Sequence, residues 1–254
     1  MSKRILITAG ASGIGRAMAE KFAANGDRVW VVDVDQKALA DCPESWQKAC
    51  LDVTDEDAVS GLFANIQSDW GGLDTLCANA GIAGPTAKVE NVALEEWRRC
   101  LSVNLDGPFL FAKYAARMMK ASGAGAIILT SSTAGIYGYP NRSPYATAKW
   151  GVIGLMKTLA MELGPFGIRA NAICPGGVEG PRMEGVMLRE AAEKGTTRDA
   201  IYAGYTSGVS MKTFVWPEDI AEMAAFLASD GARFVSGQVI AVDGHTENPD
   251  PKVP

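Results

Sequence analysis

"RILITAGASGIG", residues 4–15, decides the fold. "RILIT" is a continuous apolar and β-branched run, the pattern of a strand buried on both faces, not of one with a wet side. "TAGASGIG", residues 8–15, crowds glycines into a tight turn, and "GIGRAMAEKFAANG", residues 13–26, then repeats apolar residues at helical spacing. A strand that feeds a helix through a glycine turn is the first half of a βαβ unit.

The same alternation continues outward. "RVWVVD", "LDTLCA", "GAIILTS" and "IRANAI" read as further buried strands, "WQKACLD" as a weaker one and "GQVIAVDG" as the last. Residues 54–72, 94–120 and 143–164 carry helical periodicity, each as one continuous helix, and Asn25-Gly26 and Gly164-Pro165 act as stop signals. Strands alternating with helices require right-handed crossovers and a parallel sheet covered on both faces. The expected class is α/β: a single doubly wound parallel sheet (Rossmann-like) flanked by helices, in one domain spanning residues 1–254. Residues 180–214, polar, partly helical and broken by glycine, interrupt the alternation as a small lid, and residues 246–254 read as a loosely ordered polar tail.

Composition narrows the partners. Hydrophobic residues are 48% and charged residues 21% of the chain, and the net charge is −5. There is no basic stripe to suit nucleic acid and no apolar run of membrane-spanning length, so neither is an expected partner. Five scattered cysteines without a C-x-x-C pair indicate neither a disulfide framework nor a metal site, and a cytoplasmic protein is expected. His245, the only histidine, sits in no familiar hydrolase arrangement and is read as a surface or interface residue.

Two places carry chemistry. In the glycine turn, phosphates can approach backbone N–H groups at a helix N-terminus. Asp33 ends the next strand eighteen residues past Gly15, where an aspartate accepts ribose hydroxyls and repels the extra phosphate of NADP. The turn and the aspartate together predict NAD.

The second place is "SPYATAK", residues 143–149, in which Tyr145 and Lys149 share a helix face. Ser132 lies thirteen residues earlier, at the mouth of the preceding strand, so all three can meet around one carbonyl. An unperturbed tyrosine titrates near about 10. A cation about 4 Å away at an effective dielectric of about 20 contributes roughly 4 kcal/mol, or about three units, enough to bring the phenol into working range.

With these residues in view, the chain resembles the short-chain dehydrogenase/reductase family over nearly its whole length. "TAGASGIG" is similar to T-G-x-x-x-G-x-G, "ANAG" (residues 78–81) to N-N-A-G, "YATAK" to Y-x-x-x-K, and "VNL" places Asn104 at the family's relay asparagine. The resemblance implies that Tyr145 exchanges a proton with the substrate oxygen, Ser132 hydrogen-bonds that oxygen, Lys149 holds the nicotinamide ribose and lowers the tyrosine pKa, and Asn104 keeps a relay water. It implies Gly10, Ser12, Gly13, Ile14 and Gly15 around the pyrophosphate and nearby ribose, Asp33 on the ribose hydroxyls, Asp52 and Val53 at the adenine, Asn79 at the adjacent ribose, and Pro175 and Val178 near the nicotinamide. It also implies a homotetramer packed through residues 94–120 and 143–164.

Three positions depart from the family pattern. Ala9 and Ala78 replace a glycine and an asparagine, and Gly180 stands where the family has a threonine for the nicotinamide amide, a contact then left to backbone at Val178 or to the lid. Arg142 and Arg182 flank the expected substrate space and suit a small anionic or polar hydroxy compound, unless they are rim residues paired with Glu179 or Glu184. Met183, Met187, Tyr202 and Tyr205 face either substrate or the lid's own packing. The expected activity is NAD-dependent interconversion of a secondary alcohol and a ketone; the alternatives are a 3-oxoacyl thioester reductase and a non-catalytic dinucleotide sensor.

Overall fold

The computed structural model describes residues 2–248. Seven strands form one sheet: β1 (Arg4–Thr8), β2 (Arg28–Asp33), β3 (Gln47–Cys50), β4 (Thr75–Ala78), β5 (Gly125–Thr130), β6 (Ile168–Pro175) and β7 (Val239–Val242). Their order is β3-β2-β1-β4-β5-β6-β7, and every pairing is parallel. The order reverses between β1 and β4, which opens a crevice at the strands' carboxyl ends.

Alternate residues of the inner strands serve opposite cores. Leu6, Trp30, Ile127 and Leu129 join one apolar cluster, while Ile5, Ile7, Val29, Val31 and Ile128 join the other. This two-sided burial is why the strand segments read as unbroken apolar runs. One face is covered by α3 (Glu56–Trp70), α5 (Gly107–Ser122) and α6 (Ser143–Leu163). The other is covered by α1 (Gly13–Ala24), a short α2 (Gln36–Ala40) and, at the far end of the sheet, α9 (Pro217–Ala228). Between them in sequence, α7 (Pro181–Lys194) and α8 (Arg198–Ser207) occupy the stretch expected as a lid, with a small core of their own around Met187, Ala191, Ile201 and Phe214.

Three expectations need correction. Residues 94–120 are not one regular helix. They divide into α4 (Leu94–Leu101) and α5, joined by a π-helical turn, Ser102–Asp106. Pro108 has no N–H to offer the carbonyl four residues back, and the Gly107 N–H reaches five back to Ser102 instead. Helix α9 was absent from the sequence reading, although Pro217 at its first turn and Asp219, whose carboxylate accepts the Trp216 N–H at 2.8 Å, are ordinary start signals. The start of the expected loose tail is tied down. Thr246 is buried and bridges to Val209, Tyr137 donates to its carbonyl at 2.9 Å, and the Glu247 and Asn248 N–H groups both donate to the Gly208 carbonyl. The rest of that segment lies outside the described residues.

Among the described residues, no helix is long and apolar enough to cross a membrane.

Candidate active site

A cavity of about 570 Å³ runs along the carboxyl edge of the sheet and under the lid. Its wall contains Ser12, Gly13, Ile14, Asp33, Asp52, Val53, Asn79, Ser132, Tyr145, Lys149, Pro175 and Val178, all singled out from sequence, together with both flagged arginines, Arg142 and Arg182. Gly10, Gly15 and Asn104 stand behind this wall.

Their placement has a steric cause. A Cβ on Gly15 would lie 1.9 Å from the Ala9 carbonyl oxygen, and one on Gly10 would lie 2.7 Å from Val31 Cγ1. Both glycines therefore shape the turn from behind, while Gly13, at φ 51°, presents its backbone to the cavity. Ala9, the departure from the family pattern, holds φ 49°, a left-handed conformation that disfavours any residue with a Cβ. At the end of β2, the Asp33 carboxylate accepts the Ala11 N–H at 3.2 Å and the Asp35 N–H at 3.1 Å. A carboxylate has about four acceptor positions, so about two stay available for hydroxyl donors. Asp52 is occupied with the Thr54 N–H and hydroxyl, and Asn79 is held by the backbone and hydroxyl of Thr8.

At the other end, Ser132 begins a short 3₁₀ turn after β5, and its hydroxyl accepts the Ala134 N–H at 3.1 Å. That turn is pressed onto α6: a Cβ on Gly135 would lie 2.3 Å from Ser131 Oγ and 2.7 Å from the Lys149 carbonyl oxygen. Ser131 donates to that same carbonyl at 2.8 Å. The serine and the helix carrying Tyr145 and Lys149 are thus held at close quarters. Lys149 is 2% exposed, and its Nζ donates to the Thr130 carbonyl at 2.8 Å.

Burial alone would raise the Tyr145 pKa. Lys149, Arg182 and Arg142, in that order, together with a hydrogen bond to Ser132, reverse the sign and lower it. Lys149 is itself lowered by burial, against the opposing pull of Tyr145. The lysine effect expected from sequence is present, but it is shared with two arginines.

Asn104 is fully buried in the π turn, with its amide donating to the carbonyls of Ile82 at 3.0 Å and Cys100 at 2.9 Å. Its Oδ1 is a buried acceptor without a partner. A Cβ on Gly81 would lie 2.6 Å from that oxygen and 3.4 Å from Lys149 Nζ. Gly81 is a requirement of the site that sequence reasoning did not single out, although it closes the "ANAG" element.

The lid divides its candidates. Met183 and Tyr205 line the cavity, whereas Met187 belongs to the lid core and Tyr202 packs on Phe214 at 4.7 Å between ring centroids. Glu184 is engaged by Arg198 at 2.8 Å and Glu179 accepts from Tyr202 at 3.3 Å, so neither is taken by Arg182, which is exposed at the cavity. Arg99 of α4, also exposed and also in the cavity wall, was not among the sequence candidates. His245 lies outside this wall and exchanges a 2.7 Å hydrogen bond with Ser210.

A doubly wound sheet with a glycine turn, a strand-end aspartate and a serine, tyrosine and lysine around one cavity defines a nicotinamide-dependent oxidoreductase. The comparisons agree. Residues 8–245 match the profile of a family described as enoyl-(acyl carrier protein) reductase. The cis-4-hydroxycyclohexanecarboxylate dehydrogenase of Sinomonas cyclohexanicum is 38% identical over 245 residues, 94% of each chain. The levodione reductase of Leifsonia aquatica is 36% identical, over 94% of this chain and 92% of the relative. A crystal structure of NAD⁺-bound xylitol dehydrogenase superposes with a TM-score of 0.91 at 30% identity, over 94% of this chain and 97% of that one. The chain belongs to the short-chain dehydrogenase/reductase family. It is an oxidoreductase that binds a nicotinamide dinucleotide and acts on a small molecule.

Proposed function

We propose that the protein is an NAD-dependent dehydrogenase of a small hydroxy carboxylate, interconverting a ring or chain secondary alcohol with its ketone. The observation that carries this reading is the single cavity with Asp33 at one end, Ser132, Tyr145 and Lys149 at the other, and Arg99 and Arg182 on the substrate side. Guanidinium forks bind carboxylates well. Support also comes from the Sinomonas relative, whose name specifies a cyclic hydroxy acid.

The residues present fit the cofactor. The backbone of Ser12, Gly13 and Ile14 would hold the pyrophosphate, Asp33 the ribose hydroxyls, Asp52 and Val53 the adenine, Asn79 and Lys149 the second ribose, and Pro175 and Val178 the nicotinamide. The free acceptor positions of Asp33 favour hydroxyls over a phosphate, and exposed Val34 beside it supplies no cation for one. When bound, NAD accepts or returns a hydride at the carbinol carbon.

The chain's own task is the proton. Ionised Tyr145 takes it from the substrate hydroxyl during oxidation and returns it during reduction, Ser132 steadies the oxygen, and Lys149 favours the ionised phenol. Buried Asn104 Oδ1 would accept from a relay water. In this reading, residues 1–254 form a single catalytic domain with 180–214 as the substrate lid. Exposed Phe109 on α5, and Trp150 and Met161 on α6, support subunit packing into a homotetramer.

The deciding experiment measures NAD reduction on matched neutral and anionic secondary alcohols, with Tyr145→Phe as the blank. Turnover confined to neutral alcohols, or a Michaelis constant that Arg182→Ala raises alike for both sets, removes the carboxylate. NADPH binding as tight as NADH binding removes the cofactor assignment.

A further inference from the structure

Arg142 is misplaced by every ordinary rule for arginine. It is 8% exposed, and among the described residues no carboxylate forms an ion pair with it. One guanidinium nitrogen donates to the Ala83 carbonyl at 3.1 Å, and its Nε is a buried donor without a partner. Buried charges without a counter-charge are costly. It also occupies the N-cap position of α6, where the helix dipole repels a cation. The backbone is committed to this placement: Asn141 turns through φ 61°, the Arg142 N–H donates to Tyr139 at 3.3 Å, and the Arg142 carbonyl accepts from Ala146 at 2.9 Å.

What the guanidinium meets there is the Tyr145 ring, 4.8 Å from its carbon to the ring centroid, against 5.7 Å for Lys149 Nζ. A cation over an aromatic face is attracted by the ring, and more strongly once the ring carries a phenolate.

We propose that Arg142 acts on the reaction through Tyr145, stacking on the ring to fix its orientation and to stabilise its ionised form, as a positioning residue distinct from the arginines that meet substrate. The inference rests on the reading of Tyr145 as the proton-exchanging group. Other groups around the phenol are Lys149 on the same helix, Arg182 on the lid, Tyr139 in the loop before α6 and Ser132 after β5. Cys100 of α4 faces Lys149 and both arginines, Tyr205 faces Arg142 while donating to Glu190, and Asp243 faces Tyr139. Of the cations in this shell, Arg142 is the one stacked on the ring without contributing to the helix-face pair.

The test is a near-ultraviolet titration of tyrosinate in the NAD complex, taking the difference between each protein and its Tyr145→Phe counterpart. It needs no substrate, so it decides the role of Arg142 even if the proposed substrate is wrong. Arg142→Gln keeps a donor for Ala83 and removes the charge; Arg142→Leu is the second variant, since burying an apolar side chain there is tolerated where the glutamine is not. The expected result is a midpoint raised by about half to one pH unit, a three- to tenfold smaller ionised fraction below it, and largely restored by Arg142→Lys. The acidic limb of kcat/KM for a neutral alcohol should move by the same amount, with KM for that alcohol little changed. An unmoved midpoint overturns the proposal, and if KM rises for anionic alcohols alone, Arg142 is a substrate ligand instead.

Discussion

The two ends of the cavity are built from different materials. The end proposed for the dinucleotide is mostly backbone, a turn moulded by Gly10 and Gly15 from behind and loops pinned by Thr8 and Thr54, with a single strand-end carboxylate beside it. The end proposed for the substrate is side chain: Arg99 from α4, and Arg182, Met183 and Tyr205 from the segment of α7 and α8, which has its own small core, with Arg142 set beneath Tyr145. A backbone site demands particular residues at fixed spacings and so leaves a readable trace. A side-chain site accepts many sequences, and its meaning emerges only when distant elements are brought together.

That contrast breaks most sharply at the junction. Tyr145→Phe should lower kcat by about 10³-fold while NADH binding, followed by fluorescence, stays within a factor of about two to three, because the proposed role gives the phenol oxygen to the chemistry and not to the cofactor cradle. Gly81→Ala should be next: the added methyl drives into Asn104 Oδ1 and crowds Lys149, for an expected tenfold to hundredfold loss of kcat with stability reduced by about 1–3 kcal/mol. Retained turnover would show that the asparagine pocket yields. On the cofactor side, Gly15→Ala meets the Ala9 carbonyl and should cost about 2–3 kcal/mol in urea unfolding and weaken NADH binding, with little effect on the ratio of anionic to neutral turnover.

On the role proposed for Tyr145, oxidation depends on its ionised form. Because the net shift of that phenol is downward, activity rises through a limb below the ordinary tyrosine range and is lost as pH falls through it. A limb at the ordinary value of about 10 would remove the electrostatic account. The smallest expected effect is Ala9→Gly. Relief of the left-handed alanine, about 1–2 kcal/mol, is offset by the entropy of a new glycine, about 0.5–1 kcal/mol, leaving a slight rise in Tm by calorimetry.

β1, β2, β4, β5 and β6 were legible because burial on both faces writes an apolar run directly into sequence, whereas the exposed edge strand β3, "QKAC", left only a weak trace. The breaks in helix were harder. Ser102–Asp106 carries its two apolar residues, Val103 and Leu105, between polar ones without interrupting the flanking helical pattern, and only Pro108 betrays that the rhythm slips by one residue. Helix α2 spans five residues, too few for periodicity, and α9 starts ten residues after α8, so its start signals sit at the edge of an irregular stretch. Asp33, Tyr145 and Lys149 were legible from spacing. The roles of Gly10 and Gly15 as moulds, and of Gly81 as a gap, depend on contacts with Val31, Ala9 and Asn104 that no spacing records. Arg99 was invisible for a similar reason: nothing in "LEEWRRCL" distinguishes it from Arg98 until the helix is docked.

The ties from residues 246–248 to Gly208 and Tyr137 carry a practical meaning. A Cβ on Gly208 would lie 2.1 Å from the Asn248 carbonyl oxygen, so the last described residues are clasped directly to the end of the lid. A change at residues 246–248 is therefore felt at the end of α8, and an exchange of Gly208 for any larger residue should loosen both segments together.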